Sequence, residues 1–271
     1  MNLELTNLHV LITGGSKGIG LACARGFLAE GARVTLIARS IETLLAAQAS
    51  LTAMLINAGI ADTTLRVNVI AADLRDAADA ERAVEAVERD FGPVDVLVNS
   101  AGAAKRTPAA ELTAASWHDA MQAKFFTYIH VINPLIKKMG ERGRGAVVNV
   151  IGSGGKVAAV THLAGGSANA ALMLASAGFA AAYAGKGVRV NAVNPGLTMT
   201  ERLHEGMQAE ARHLGISMEE ALTRAKATRP LGRIAEASEI ADAVVYLASS
   251  RASYITGAVV AMDGAVTPMV V

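Results

Sequence analysis

The sequence predicts an α/β chain built on a doubly wound, seven-stranded parallel sheet with helices on both faces. Three observations carry that expectation: seven short apolar runs, segments of helical period between them, and a glycine-rich junction directly after the first run. Continuous Val/Ile/Leu runs alternating with amphipathic segments are what a parallel sheet covered on both faces requires. Right-handed crossovers between parallel strands then leave the doubly wound topology.

The first strand is expected at Val10–Thr13, and the helix Ile19–Glu30 follows it. The second strand, Val34–Ala38, leads through Ser40, a side chain suited to capping a helix N-terminus, into the helix Ile41–Ala58. The third strand, Leu65–Ile70, precedes the helix Asp76–Phe91. That helix carries Ala80, Ala83, Val84 and Val87 on one face and Arg82, Glu85, Glu88 and Arg89 on the other. Strands at Val94–Asn99, Ala146–Ile151, Val188–Val193 and Ala258–Met262 complete the sheet, with helices at Ser116–Met139, Ala168–Ala184 and Ser238–Leu247. No Pro/Ser-rich linker divides the chain, so residues 1–271 are read as one domain. Residues 200–229 form a polar, charged insertion of helical pattern after the sixth strand. Such a segment hangs over the carboxyl ends of the strands, where open α/β sheets bind ligands, and is expected to be a substrate lid.

Composition excludes several classes of function. Twenty-five Lys and Arg balance 24 Asp and Glu for a net charge of +1, and aromatic residues make up only 4%. A nucleic-acid or membrane-surface binder wants a strong basic bias, so neither partner is expected. Cys23 is the single cysteine, which rules out an internal disulfide and is compatible with a reducing compartment. The N-terminus shows no secretory signal, and a cytoplasmic location is expected. Val157–Tyr183 contains no charged residue, but its Thr161, His162, Ser167, Asn169 and Ser176 read as a buried soluble helix rather than a membrane span. The histidines and the cysteine lack metal-ligand spacing, so no metal is expected.

The junction after the first strand reads Thr13-Gly14-Gly15-Ser16-Lys17-Gly18-Ile19-Gly20. Glycines in such a loop allow a tight turn, close approach of backbone to a pyrophosphate, and close helix–strand packing. The following helix N-terminus offers free N–H groups and a positive dipole.

On these and four further motifs the chain resembles the short-chain dehydrogenase/reductase family over nearly its whole length. The T-G-x-x-x-G-x-G motif is Thr13–Gly20, and N-x-A-G is Asn99-Ser100-Ala101-Gly102. The acidic-then-apolar pair near the adenine is Asp73-Leu74, and R-V-N-x-V-x-P-G is Arg189–Gly196. The C-terminal motif is Ile255-Thr256-Gly257 with Asp263-Gly264. The resemblance implies a Rossmann-type fold, a nicotinamide cofactor and hydride transfer. It implies cofactor contacts from Gly14, Ser16, Lys17, Gly18, Ile19, Gly20, Asp73, Leu74, Asn99, Ala101, Gly102, Asn169, Pro195, Gly196 and Thr198. Cofactor choice follows from charge. The second strand ends in Ala38-Arg39-Ser40 with no acid to bind ribose hydroxyls, while Arg39 and Lys17 can hold a 2′-phosphate, so NADP(H) is expected.

The family's catalytic Asn, Ser, Tyr and Lys do not carry over. Gly165 stands at the Tyr position and Asn169 at the Lys position, Gly152 takes the place of the Ser, and Lys124 that of the Asn. Lysine and asparagine have thus exchanged places, leaving an amine and an amide for one pocket. His162 shares a helical face with Gly165 and Asn169, so it is a candidate to fill the vacated space and exchange protons. Lys124, Ser153, His162 and Asn169 are the catalytic candidates; alternatively, the glycines at 152, 154, 155, 165 and 166 enlarge the pocket for a bulky substrate. The leading reading is an NADP(H)-dependent oxidoreductase acting on a carbonyl or alcohol with a non-standard proton donor. A nucleotide-binding sensor or partner subunit without turnover, and a lyase or isomerase on the same fold, stay open. The helices Ser116–Met139 and Ala168–Ala184 match the family's dimer-forming pair, so a homodimer or homotetramer is expected.

Overall fold

The computed structural model describes residues 2–60, 63, 66–102 and 104–269. Its strands in chain order are β1 (His9–Thr13), β2 (Arg33–Ala38), β3 (Val67–Ala71), β4 (Val96–Asn99), β5 (Gly145–Val150), β6 (Val188–Pro195), β7 (Thr198–Met199), β8 (Ala235–Glu236) and β9 (Val259–Met262). Seven of them form one parallel sheet in the order β3-β2-β1-β4-β5-β6-β9. The order reverses between β1 and β4. Loops leaving those two strands part in opposite directions there and open a crevice at the carboxyl edge. Leu65, the expected start of the third strand, lies outside the described residues.

The helices are α1 (Gly18–Ala29), α2 (Ile41–Asn57), α3 (Ala77–Phe91), α4 (Ala114–Ala120), α5 (Thr127–Glu141), α6 (Leu163–Tyr183), α7 (Glu201–Leu214), α8 (Met218–Ala227) and α9 (Ala237–Ala248). Side chains on β1 alternate between two cores. Val10 and Ile12 join Phe27, Leu44, Leu51 and Val245 under α1, α2 and α9, while Leu11 joins Val84, Tyr128, Leu135 and Leu172 under α3, α5 and α6. Helix α6 is long and apolar enough to cross a membrane by composition. In this fold its Ala168, Leu172, Ser176 and Ala180 are buried against the sheet.

The R-V-N motif has a structural reason. The Arg189 guanidinium donates to the carbonyls of Leu247, Ala248 and Ser249 at 2.7, 3.0 and 2.9 Å, satisfying the C-terminal end of α9 and opposing its dipole. Asn191 donates to Ile255 O at 2.8 Å and accepts from Ala258 N–H at 3.1 Å, which fixes β9 beside β6.

Three local features differ from the sequence reading. The expected single helix at 116–139 is α4 and α5 joined by a π-helical stretch, Met121–Phe126. Helix α6 begins at Leu163, five residues earlier than expected, with His162 at its cap. The 200–229 insertion does form two helices, α7 and α8, and a parallel pair the sequence did not announce, β7 with β8, clasps its base.

Candidate active site

The crevice is a cleft of about 830 Å³. Gly14, Ser16, Lys17, Gly18 and Ile19 line one side of it, and Ala101 and Gly102 face them from the loop after β4. A Cβ on Gly14 would meet the Ala101 backbone at 2.8 Å, and one on Gly20 would overlap the Gly14 carbonyl oxygen. The two loops therefore pack backbone to backbone, and the first turn of α1 opens into the cleft without a side-chain cap. This bare cradle at a helix N-terminus fits the pyrophosphate of a dinucleotide. Gly20 is not on the cleft wall; its part is this close packing.

Asn99 also stands behind the wall rather than on it, which corrects its expected place as a cofactor contact. Its amide donates to Asn149 Oδ1 at 3.0 Å and its oxygen accepts from Thr13 Oγ1 at 3.3 Å. Asn149 continues the chain to Ser176 at 2.9 Å. Thr13 Oγ1 in turn accepts from the Ser100 and Ala101 N–H groups at 3.2 and 3.3 Å. This buried network ties the glycine loop to the loop after β4 across three strands.

Arg39, Asp73 and Leu74 line the far end of the cleft, and Pro195, Gly196 and Thr198 its other flank. Asp73 forms a fork with the Arg75 guanidinium, at 2.5 Å for the closest pair, and this hydrogen bonding holds its carboxyl below the usual range. Arg39 is exposed at the rim and adds a further positive charge. Lys17 reaches Glu201, in the first turn of α7, at 3.4 Å, so the glycine loop and the insertion touch over the cleft.

The catalytic candidates separate into two groups. Lys124 lies on the cleft wall, with 8% of its surface exposed. The π-helical stretch turns it inward, with Thr127 Oγ1 donating to Gln122 O at 3.0 Å inside the widened turn. Gly102 seats that turn, because a Cβ there would overlap the Ala123 carbonyl. The Lys124 ammonium donates to Tyr128 Oη at 2.9 Å and to Val150 O at 3.2 Å, and Tyr128 donates to the same carbonyl. Burial, followed by the positive charge of Arg202, pushes the amine down to about 7. Tyr128 was not foreseen as a site residue; its position four residues after Lys124 on a helix was the available signal.

Asn169 lies just behind Gly152, which is on the wall, and His162 lies against Gly154 and Gly165. Gly152 has φ of +129°, a conformation that side chains rarely adopt, so a serine here would be strained. A Cβ there would stand 3.3 Å from Asn169 Nδ2. The His162 ring occupies the space beside Gly165: a Cβ on Gly165 would overlap Cε1 and come within 2.7 Å of both ring nitrogens. A Cβ on Gly154 would meet the same ring at 3.1 Å, one on Gly155 would meet Met173 at 2.6 Å, and one on Gly166 would meet the Gly154 carbonyl at 2.6 Å. The expectation that these glycines enlarge the pocket is corrected for 154, 155, 165 and 166, where the imidazole, a methionine and backbone fill the room; Gly152 stays on the cleft wall. His162 Nδ1 is buried without a hydrogen-bond partner. Burial, then the charges of Arg106, Arg202 and Lys124, hold the imidazole below its usual pKa. Ser153 is brought not to the cleft but to a small neighbouring cavity with Lys156 and Asn194, because the chain enters a 3₁₀ turn right after Gly152.

A family profile described as enoyl-(acyl carrier protein) reductase matches residues 14–267. The chain belongs to this family of short-chain dehydrogenases/reductases. D-threitol dehydrogenase of Mycolicibacterium smegmatis is 33% identical over 266 residues, covering 98% of this chain and 95% of that protein. L-sorbose reductase from Gluconobacter frateurii, solved with NADPH and L-sorbose, superposes with a TM-score of 0.91 at 28% identity over all of both chains. A short-chain oxidoreductase from Pseudomonas aeruginosa PAO1, solved with NADPH and described as containing an atypical catalytic centre, gives a TM-score of 0.86. It is 30% identical, with 98% of this chain and 100% of that one covered.

Proposed function

We propose that this short-chain dehydrogenase/reductase interconverts a small carbonyl compound and its alcohol with NADP(H), and that Lys124 is its proton donor. The single observation that carries the reading is the buried Lys124 amine on the wall of the dinucleotide cleft, held by Tyr128 and Val150 O. NADP(H), when bound, supplies hydride exchange at carbon. Lys17 and Arg39 would hold its 2′-phosphate and the α1 N-terminus its pyrophosphate, while Asn169, buried behind Gly152, would back the wall. In reduction the Lys124 ammonium gives a proton to the carbonyl oxygen and is left as the neutral amine; in oxidation the amine takes that proton back. An amine titrating near neutrality is suited to both directions. His162 plays a different part. A ring with a buried, unpartnered Nδ1 among cations stays neutral at pH 7 and leaves only Nε2 for a hydrogen bond.

The test is Lys124→Met. Turnover is expected to fall about 100-fold or more, while NADPH affinity stays within about threefold, because general acid–base catalysis is worth about 10²–10⁴. In the parent chain, kcat/KM for reduction should fall as pH rises through about 7, and for oxidation it should rise through the same value. His162→Gln should keep that limb in place. A readout independent of turnover comes from stability. Between about 7 and the ordinary lysine value of 10.5 the unfolded chain binds more protons than the folded one, so stability climbs with pH there, and Lys124→Met flattens the climb. A limb near pH 7 that survives Lys124→Met assigns the proton to another group. Tight NADPH binding with no turnover of any carbonyl favours the sensor reading instead.

A further inference from the structure

The Lys124 amine sits between two fixed acceptors, Tyr128 Oη at 2.9 Å and Val150 O at 3.2 Å. Tyr128 is fully buried and packs in the core with Leu11, Leu135 and Leu172, so the fold holds its hydroxyl in place. Val150 ends β5 and is paired there with Val193. The Tyr128 proton is itself committed to Val150 O, which leaves the phenol oxygen to accept from Lys124. The ammonium also lies 4.6 Å from the centre of the Tyr128 ring. Tyr128 does not line the cleft, and burial raises its pKa, so the phenol stays protonated and hands nothing to a substrate.

A lysine ammonium has three N–H donors and the neutral amine has two. Tyr128 and Val150 O take two in either state. One position remains, a proton in the charged form and a lone pair in the neutral form, and Lys124 lies on the cleft wall. Proton transfer therefore leaves no buried N–H without an acceptor. We propose that Tyr128 is a positioning residue: its hydroxyl, together with Val150 O, fixes the amine so that the one transferable proton of Lys124 faces the cleft. The proposal rests on the reading of Lys124 as proton donor. It makes a lysine, ordinarily the most mobile of donors, a pre-aimed one. The phenol oxygen also favours the charged form, because an acceptor stabilises an ammonium more than an amine. Arg202, at the start of α7, acts in the opposite sense, and His162, at the cap of α6, is coupled to the same amine. Asp119, on α4, acts on Arg75 instead.

Tyr128→Phe tests this, because it keeps the ring and removes only the hydroxyl. In NADPH-dependent reduction kcat should fall about tenfold, with KM and NADPH affinity within about twofold. The limb near pH 7 should move to lower pH, since the ammonium has lost an acceptor. Competitive labelling with acetic anhydride, quantified at Lys124 by mass spectrometry across pH, follows the amine without turnover, and its half-point should move the same way. 3-Fluorotyrosine incorporated at position 128 keeps the shape and weakens the acceptor, and should move the half-point less. An unmoved half-point in both variants, or a loss confined to KM or NADPH affinity, overturns the proposal. Labelling and turnover together separate the two readings. A half-point that moves in a chain that reduces no carbonyl sinks the oxidoreductase and leaves the positioning of the amine standing. Turnover in the parent chain that Tyr128→Phe leaves unchanged, in kcat and in pH limb, does the reverse.

Discussion

The segments 14–20 and 152–166 are both rich in glycine, and they spend that freedom in opposite ways. In the first, glycine lets one backbone lie against another. Gly14 approaches the Ala101 backbone and Gly20 the Gly14 carbonyl, and the cleft in front of them is left open. In the second, glycine makes room for the chain's own side chains: the His162 ring lies over Gly165 and Gly154, and Met173 over Gly155. A glycine-rich stretch therefore signals close approach, and the partner decides the role. Backbone against backbone builds a cradle for a ligand, whereas backbone against a ring builds a packed wall. Gly165 and His162 are coupled, since the ring rests where a Cβ on residue 165 would stand and must move if one is added.

The sharpest way to break this comparison is to add one methyl group in each region. Gly20→Ala forces a Cβ onto a backbone carbonyl that cannot yield, and should cost about 3 kcal/mol of stability that no side-chain truncation recovers. Gly165→Ala should cost less, about 1–2 kcal/mol, because a ring can swing away. His162→Ala in the same chain should recover most of that loss, a coupling of about 1 kcal/mol in a double-mutant cycle read from denaturant midpoints. Additive effects at 165 and 162 would mean that the ring does not rest on Gly165.

Most of the sheet was legible because its strands are continuous apolar runs, and much of the cleft wall because its residues sit at fixed offsets from strand ends. Lys17, Arg39, Asp73, Leu74, Gly196 and Thr198 all reach the cleft wall. What was not legible depends on contacts far apart in sequence. The π-helical stretch at Met121–Phe126 leaves no periodic mark; it is seated by Gly102, some twenty residues away, and it is what turns Lys124 inward. The β7–β8 clasp is two residues long in each strand, too short for any alternation to show. Ser153 looked like a substitute for the missing hydroxyl because it neighbours the right position. One positive φ at Gly152 and the turn after it send the side chain to another cavity.

The open region invites a test of charge rather than of packing. Arg39→Asp should weaken NADPH binding about tenfold and strengthen NADH binding, because the 2′-phosphate loses a bidentate partner and the ribose hydroxyls gain an acceptor. Asp73 should stay in place throughout, since Arg75 is its main partner. Direct titration of both nucleotides decides it. An unaltered preference would leave Lys17 as the residue that reads the phosphate.

The smallest effect belongs to a glycine that does neither job. Gly178 lies within α6 on its exposed side, and a Cβ there would meet nothing within 4 Å. Nothing in the fold asks for glycine at this point, so Gly178→Ala should stabilise the chain by about 0.5–1 kcal/mol through helix propensity alone. The same outer face carries Leu174, which is 77% exposed. An apolar side chain left open on a helix that is nearly free of charge is what a contact between copies of this chain would cover. The gain therefore doubles as a probe of assembly. A full gain from thermal unfolding, with an unchanged sedimentation mass, means that the face at 178 stays in water. A loss of stability that grows with protein concentration means that the backbone there meets a second helix closely, a third use of glycine beside the cradle and the wall.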